Sequence, residues 1–266
     1  RSFPVKQFIS RRSFLKAAGA ATALTAVSLG APAASAEETN CFLGEKSAVT
    51  ILYTNDVHTY IDKKSPELTY AGIAALKQSY VDAGQNVLLV DAGDHIQGTA
   101  YGSMDDGETI IKLMSEAGYD LATPGNHEFD YGMARAKAAM KEAAFPYVSC
   151  NWVDLRTGLK VLPSIKIFTI GGARIAFVGV TTPETTPAYF MNASQTKYIY
   201  DILGGDDGQK LYKAVQKAID KAKLLGATTI IGLGHLGVDP SSAPWTSEEV
   251  IAHPTGFDAF IDGHSH

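Results

Sequence analysis

The architecture of this chain is organised around the stretch Thr123-Pro124-Gly125-Asn126-His127-Glu128-Phe129-Asp130-Tyr131. This stretch overlaps the end of the short run Asp120–Thr123, which is typical of a strand. An amide, an imidazole and two carboxylates therefore come together where a strand ends. In folds that alternate strands with helices, the carboxyl ends of strands carry the ligands and the chemistry. The stretch thus predicts an α/β fold with a functional site at this point.

On both sides of this stretch, continuous apolar runs alternate with helical patterns. The runs typical of buried strands are Val49–Thr54, Asn86–Val90, Asp120–Thr123 and Tyr147–Cys150. The segments with apolar residues at helical spacing are Tyr70–Ala83, Glu108–Ala117 and Met133–Ala144. This alternation predicts a largely parallel sheet that is covered by helices on both faces.

The pattern changes in the second half of the chain. A glycine pair, Gly171-Gly172, joins two strand-like runs and predicts an antiparallel hairpin. The strand-like runs of this half are Ser164–Ile170, Ala173–Val180, Thr228–Leu233 and Phe257–Ile261. The predicted helices are Gln209–Leu225, which ends at a glycine, and the short segment Thr246–Ala252.

The charge balance of the chain argues against a nucleic-acid polymer as a partner. The formal net charge is −5, but residues 1–36 contain five basic residues and no acidic one. The remaining residues therefore carry 18 basic and 28 acidic side chains, a net charge of −10. Binding to a phosphate backbone requires a basic face, whereas a small phosphorylated substrate can be held by cations. Cys41 and Cys150 are too few for a disulfide scaffold, and the sequence leaves their pairing open.

The first 36 residues have the pattern of an export signal. A basic segment precedes an alanine-rich apolar run that is too short for a stable membrane span, and Ala34-Ser35-Ala36 follows it. The basic segment, Ser10-Arg11-Arg12-Ser13-Phe14-Leu15-Lys16, resembles the twin-arginine export signal, and an ordinary secretory signal is the alternative. We expect cleavage after Ala36, the twin-arginine export machinery as a partner, and export to the periplasm, the cell wall or the extracellular space.

Metal-binding side chains follow five of the predicted strands. Five of the seven histidines lie at such strand ends, and His95 and His253 are the exceptions. The candidate metal ligands are Asp56, His58, Asp94, Asn126, His235, His264 and His266. Because parallel strands bring their carboxyl ends to one edge, we expect these groups to converge. Carboxylate and imidazole together suit Zn, Mn, Fe, Co or Ni, and a pair of such ions is a common device for phosphoester hydrolysis.

The motifs resemble those of the calcineurin-like metallophosphoesterases, in the same order along the chain. They are Asp56-x-His58, Gly93-Asp94, Gly125-Asn126-His127-Glu128, Gly234-His235 and Gly263-His264-Ser265-His266. The longer match from Gly125 to Gly132 is similar to the branch that contains 5′-nucleotidases, UDP-sugar hydrolases and 2′,3′-cyclic phosphodiesterases. The resemblance implies an α/β metallophosphoesterase fold, a two-sheet β-sandwich flanked by helices (α/β/β/α). We expect a linker at 37–47 and a catalytic domain at 48–266, truncated at its C-terminal end and without the substrate domain common in the family.

The resemblance also implies a role for each candidate residue. One metal ion would be held by Asp56, His58 and His266 and the other by Asn126, His235 and His264, with Asp94 bridging them. His127 would bind the phosphate and act as the catalytic imidazole, and Asp130 would orient it and favour its protonated form. Several bacterial 5′-nucleotidases have glutamine in place of His266, whereas an imidazole at this position is common in the wider superfamily. Beside the motifs, we expect Glu128 to pack or cap the following turn, Asp91 to cap its strand end, and His95 to shape the site or contact solvent.

These observations predict an exported dinuclear-metal phosphohydrolase. It would release phosphate from nucleotides or related esters by in-line attack of hydroxide held by the metals, without a covalent enzyme intermediate. Two alternatives are a thiosulfohydrolase-like enzyme of sulfur oxidation and a metal-containing binding module without catalysis. The motifs specify neither the nucleotide, nor the metals, nor the oligomeric state.

Overall fold

The computed structural model describes residues 47–61, 69–185, 187–192 and 194–266. The predicted signal peptide, the predicted linker up to residue 46, and Cys41 lie outside the described residues. Within the described residues, no helix combines the length and the apolar character needed to cross a bilayer.

Ten strands and six α-helices make up the described part of the chain. The strands are β1 Val49–Thr54, β2 Asn86–Asp91, β3 Leu121–Ala122, β4 Trp152–Asp154, β5 Leu159–Lys160, β6 Ile165–Ile170, β7 Ala173–Thr181, β8 Tyr200–Ile202, β9 Thr229–His235 and β10 Ala259–Ile261. The helices are α1 Tyr70–Asp82, α2 Ala100–Ser103, α3 Glu108–Glu116, α4 Met133–Glu142, α5 Gln209–Leu224 and α6 Ser247–Ala252.

The first sheet is parallel, as the alternating pattern predicts. Its order is β1-β2-β3, and Val49 pairs with Asn86 at one end of the β1–β2 register. The predicted strand Tyr147–Cys150 is wrong, because only Tyr147 forms a bridge to the sheet. The backbone N–H of Val148 donates to Ala122, but that of Cys150 donates to Gly179 of β7. This segment therefore passes from the first sheet to the second. It does not form a continuous strand in either sheet.

The second sheet has the order β10-β9-β7-β6. The β6–β7 hairpin is antiparallel, and β9 lies parallel to both β7 and β10. The hairpin turns at Gly171 and Gly172, whose φ angles of 57° and 71° are readily adopted by glycine. The carboxyl ends of β9 and β10 consequently lie side by side.

The two sheets form a sandwich because their strands alternate in the faces that they bury. Leu88 and Val90 of β2 pack against Phe177 of β7 between the sheets, whereas Leu89 faces the helices on the outer side. The residues of α1 and α3 in that outer layer are Tyr70, Ile73, Ile110, Ile111 and Met114. The α/β/β/α arrangement expected from the family resemblance is therefore confirmed. The expectation of helices on both faces of the parallel sheet is wrong, because its inner face packs on the second sheet.

Helix α5 covers the outer face of the second sheet. Its buried residues recur at helical spacing and pack against Ala176, Val178 and Val180 of β7. They are Leu211, Val215, Ala218, Ile219 and Ala222. The helix ends where Gly226 adopts a φ of 78° and its N–H donates to the carbonyl of Lys223.

A third, small sheet with the order β5-β4-β8 was not predicted from the sequence. Its strands have two or three residues, too few to show a two-residue alternation of apolar and polar side chains. The fully buried ring of Trp152 in β4 packs against Phe129 with 5.0 Å between the ring centroids. The small sheet thereby supports the turn that follows Asn126.

Candidate metal centre

The five predicted strand ends converge, and their side chains form two groups of possible metal ligands. Within each group, the potential ligand atoms lie within 4.8 Å of one another. The first group is Asp56, His58 and His266, and the second is Asp94, His235 and His264. Every residue that we predicted as a metal ligand thus lies in one of these groups, except Asn126, which is described below.

Asp94 lies between the two groups. Its Oδ2 is 2.9 Å from Nε2 of His235, in its own group, and 3.7 Å from Nε2 of His58, in the other. Asp56 is also near both, because its Oδ1 lies 3.8 Å from His235 Nε2 and 4.0 Å from His266 Nε2. Asp94 Oδ2 therefore lies within 4 Å of a histidine nitrogen from each group.

Three buried polar atoms at this site have no hydrogen-bond partner among the described residues. They are His58 Nε2, His235 Nε2 and Asn126 Oδ1. The other ring nitrogens of the two histidines lie beside backbone carbonyls, with His58 Nδ1 3.1 Å from Gln97 O and His235 Nδ1 2.6 Å from Ala92 O. A carbonyl that accepts from Nδ1–H leaves Nε2 with its lone pair free, which is the form that binds a metal. The donor atoms present therefore fit divalent ions.

The backbone at several of these residues is in the left-handed region. The φ angles are 51° at Asp56, 44° at His58, 59° at Asp94 and 84° at His264. This conformation is uncommon for residues other than glycine and costs about 1–3 kcal/mol each. Non-glycine residues keep such angles where the surrounding contacts enforce them. One such contact is the N–H of His264, which donates to Asp56 Oδ1 (3.0 Å) and Oδ2 (2.9 Å).

Gly125 provides space for the carboxylate of Asp94. A Cβ atom at this position would clash with Asp94 Oδ1 and would lie 2.8 Å from His235 Nε2. Only glycine leaves room for both side chains at the end of β3.

The carboxylate of Asp94 is ionised at neutral pH. Burial opposes its charge, but contact with His235 and the N–H of His127, 2.9 Å from Asp94 Oδ1, lowers its pKa well below the usual range. Conversely, burial lowers the pKa of His235, but Asp94 and Asp56 more than offset this and raise it to about 9. The carboxylates therefore favour positive charge at Nε2 of His235, where a bound metal ion would take the place of the proton.

His127 lies beside the ligand groups. Its Nδ1 is 2.7 Å from Asp130 Oδ2, and its ring meets that of His58 edge-on at 5.2 Å between centroids. Burial lowers the pKa of His127, but the hydrogen bond that its ring donates to Asp130 and the charge of Asp94 raise it above the usual value. Asp130 thus engages Nδ1 of His127 and not Nε2.

Of the two alternatives expected for Glu128, the structure supports packing and not a cap on the following turn. Its side chain is buried, and Oε2 accepts from the N–H groups of Asp94 (2.8 Å) and Gly125 (2.6 Å). Its Oε1 accepts from the N–H groups of His95 (2.8 Å) and Ile96 (3.3 Å). One carboxylate thus ties the loop after β2 to the loop after β3. The sequence distance of more than 30 residues explains why the local pattern did not indicate this contact.

Of the two alternatives expected for His95, contact with solvent is wrong, because the side chain is fully buried. The fully buried ring lies between Asp91 Oδ1 at 2.8 Å and Tyr147 OH at 2.7 Å, which occupies both nitrogens. Burial lowers the pKa of His95, but Glu128 and Asp91 raise it to about 9. Asp91 also accepts from the N–H of Gly93 at 2.9 Å and so caps its strand end, as predicted.

One contact at the site was not foreseen. His264 Nε2 lies 2.8 Å from Glu184 Oε2, a carboxylate in the irregular segment after β7. That segment has neither strand nor helical periodicity, and no local pattern distinguishes Glu184 from a solvated surface acid. His266, by contrast, stacks on His58 with 4.9 Å between centroids while its side chain remains 67% exposed.

The sequence profile of the calcineurin-like phosphoesterases matches residues 49–266. The chain belongs to the calcineurin-like phosphoesterase family. A twin-arginine translocation signal matches residues 9–28, so the protein is directed to export across the membrane. The predicted family and export route are both confirmed.

Relatives of this phosphoesterase include nucleotidases. A snake venom 5′-nucleotidase from Gloydius brevicauda is 31% identical over 233 residues, which cover 82% of this chain and 37% of that protein. Two crystal structures superpose with TM-scores of 0.67 over 82% of this chain. They are the calcineurin-like phosphoesterase YfkN from Bacillus subtilis (26% identity, 72% of that chain) and a 5′-nucleotidase precursor from Thermus thermophilus (28% identity, 42% of that chain). The chain thus spans about two fifths of the length of the nucleotidases it matches.

Proposed function

We propose that residues 48–266 form the catalytic domain of an exported dinuclear-metal phosphohydrolase, preceded by a signal peptide at 1–36 and a linker at 37–47. The observation that carries the proposal is the placement of Asp94 between two groups of ligand atoms, with His127 alongside. The substrate would be a nucleotide or a related phosphate ester, which is supported by the nucleotidases among the relatives.

Two divalent ions fit the ligand set. Asp56, His58 and His266 would hold one ion, and Asn126, His235 and His264 the other, with Asp94 shared between them. Bound divalent ions supply a nucleophile at neutral pH and positive charge for the phosphoryl oxygens. The unpartnered Asn126 Oδ1 supports its assignment as the neutral ligand of the second group.

The chain's own contribution to the reaction centres on His127. Asp130 holds Nδ1 and favours the protonated ring, so that Nε2 carries a proton towards the substrate. That proton can bind a phosphoryl oxygen and stabilise the charge of the transition state, or pass to the leaving oxygen. The backbone N–H of His127 donates to Asp94 Oδ1, which fixes the position of His127 relative to this carboxylate.

Phosphate release by the full-length protein tests the proposal. A malachite-green assay over a panel of nucleotides and divalent metals should show metal-dependent release of phosphate from at least one nucleotide, abolished by a chelator and restored by adding metal back. Release of sulfate from a thiosulfonate without phosphate release from any nucleotide would instead support the thiosulfohydrolase alternative. Metal binding without turnover of either substrate class would support the binding module.

A further inference from the structure

A groove with a strongly basic lining lies between α5 and the small sheet. Its volume is about 640 Å³. Five lysines line it: Lys160 of β5 and Lys210, Lys213, Lys217 and Lys221 of α5. Among the described residues, none that line the groove is acidic, and none belongs to the metal centre. Such a concentration of one charge stands out in a chain whose net charge is negative.

The groove lysines lack carboxylate partners among the described residues. Among all the described residues, lysines form two ion pairs, Lys77–Asp120 and Lys112–Glu108, and neither lies in the groove. Burial lowers the pKa of Lys160, Cys150 raises it, and the charge of Lys217 lowers it again, in keeping with repulsion between the two cations. An anion in the groove would relieve this repulsion.

The lysines of α5 form one row along the helix. They occur at intervals of three, four and four residues, which places them on one face. With a rise of about 1.5 Å per residue, Lys213, Lys217 and Lys221 follow one another at steps of about 6 Å, and the whole row spans about 16 Å. An extended polypeptide presents side chains on one side every ~6.6–6.8 Å. Acidic residues at alternate positions of such a segment would therefore meet successive lysines.

The rest of the lining is mostly apolar. Val153 and Leu155 come from β4 and the residue after it, Leu203 follows β8, and Ala214 and Ala218 belong to α5. This surface can take up apolar side chains that alternate with the acidic ones. A single-stranded nucleic acid would need aromatic rings for its bases to stack on, and no aromatic residue lines the described groove.

We propose that this groove binds an extended, acidic segment of a partner polypeptide. Acidic side chains at alternate positions pair with the lysines of α5 and Lys160, and apolar side chains between them contact the remaining lining. The row of about 16 Å is longer than a single small anion can occupy, and the concave shape suits a chain better than a flat membrane surface. The inference is independent of the activity proposed for the metal centre.

Fluorescence anisotropy on the full-length protein tests this proposal. The probe is a labelled octapeptide that alternates glutamate with valine, and the matched probe replaces each glutamate with glutamine. We expect saturable binding of the glutamate peptide only, with an affinity that falls as the salt concentration rises. The double variant Lys213→Glu/Lys217→Glu should weaken this binding at least about tenfold, because two attractions become two repulsions.

Two exposed lysines outside the groove give a control with the same change in net charge. The double variant Lys141→Glu/Lys197→Glu should bind the peptide within about twofold of the unaltered protein, and circular dichroism should show that both double variants are folded. Equal weakening in the two double variants would mean that only net charge matters and would overturn the proposal. Absence of saturable peptide binding would also overturn it, including the case in which only phosphatidylglycerol vesicles bind.

Discussion

Replacing Glu128 with glutamine tests how the two central ligand loops are held together. The carboxylate accepts four backbone N–H groups, from Asp94, His95, Ile96 and Gly125, at 2.6–3.3 Å. Glutamine has the same shape, but one of its two terminal groups is an amide NH₂ that donates. In either orientation, two of the four N–H groups then face a donor.

The expected loss of stability follows from the two backbone N–H groups that lose their acceptor. Hydrogen bonds to a charged group contribute about 1.5–3 kcal/mol each, so losing two costs roughly 3–6 kcal/mol. The buried imidazolium of His95 also loses a negative charge 3.6 Å from its Nδ1. Because the free energy of unfolding of a domain is only about 5–15 kcal/mol, Glu128→Gln should remove a large part of the total stability.

Urea unfolding of the metal-free protein, followed by circular dichroism, measures this loss. Glu142→Gln is the matched control, because Glu142 is an exposed carboxylate paired with Arg135 at 3.0 Å, and its loss should cost less than about 1 kcal/mol. If Glu128→Gln unfolds within about 1 kcal/mol of the unaltered protein, the carboxylate does not hold the loops and the reasoning is refuted.

Three further changes probe the site. His127→Asn should retain both metals and lower kcat by roughly 10²–10⁴-fold, the range for a positioned acid–base group, as phosphate release and metal analysis would show; unaltered turnover would contradict its role. Asp130→Asn removes the group that raises the pKa of His127, so the loss of kcat/KM as pH rises through that pKa should move to lower pH. An unmoved pH profile would show that Asp130 does not act through His127. Gly125→Ala should reduce metal affinity, because a Cβ there clashes with Asp94 and crowds His235; calorimetric titration with Zn²⁺ or Mn²⁺ measures this, and unchanged affinity would contradict the close fit.

The sequence specified much of the fold because its main strands are long and apolar. β1 and β2 begin where predicted, and the helix predicted at 209–225 ends one residue earlier, at Leu224. The convergence of the site was also foreseeable, since parallel strands share an edge and the motif residues follow those strands. Asn126 and His127 could therefore be placed beside Asp94, more than 30 residues away, without a structure.

What the sequence did not indicate depends on contacts between distant segments. Trp152 lies in a three-residue strand that packs on Phe129 and pairs with β5 and β8. Tyr147–Cys150 has the composition of a strand, but its backbone hydrogen bonds are divided between two sheets. Glu128 likewise has the appearance of a local capping residue, and its partners become visible only when the loops after β2 and β3 are adjacent.

The number of metal ions per chain, measured by inductively coupled plasma mass spectrometry on the purified full-length protein, tests the shared-carboxylate centre. We predict two divalent ions per chain, retained in His127→Asn. We further predict that Asp94→Asn loses occupancy at both positions, because Asp94 lies between the two ligand groups. One ion per chain in the unaltered protein, or full retention of two ions in Asp94→Asn, would contradict the account.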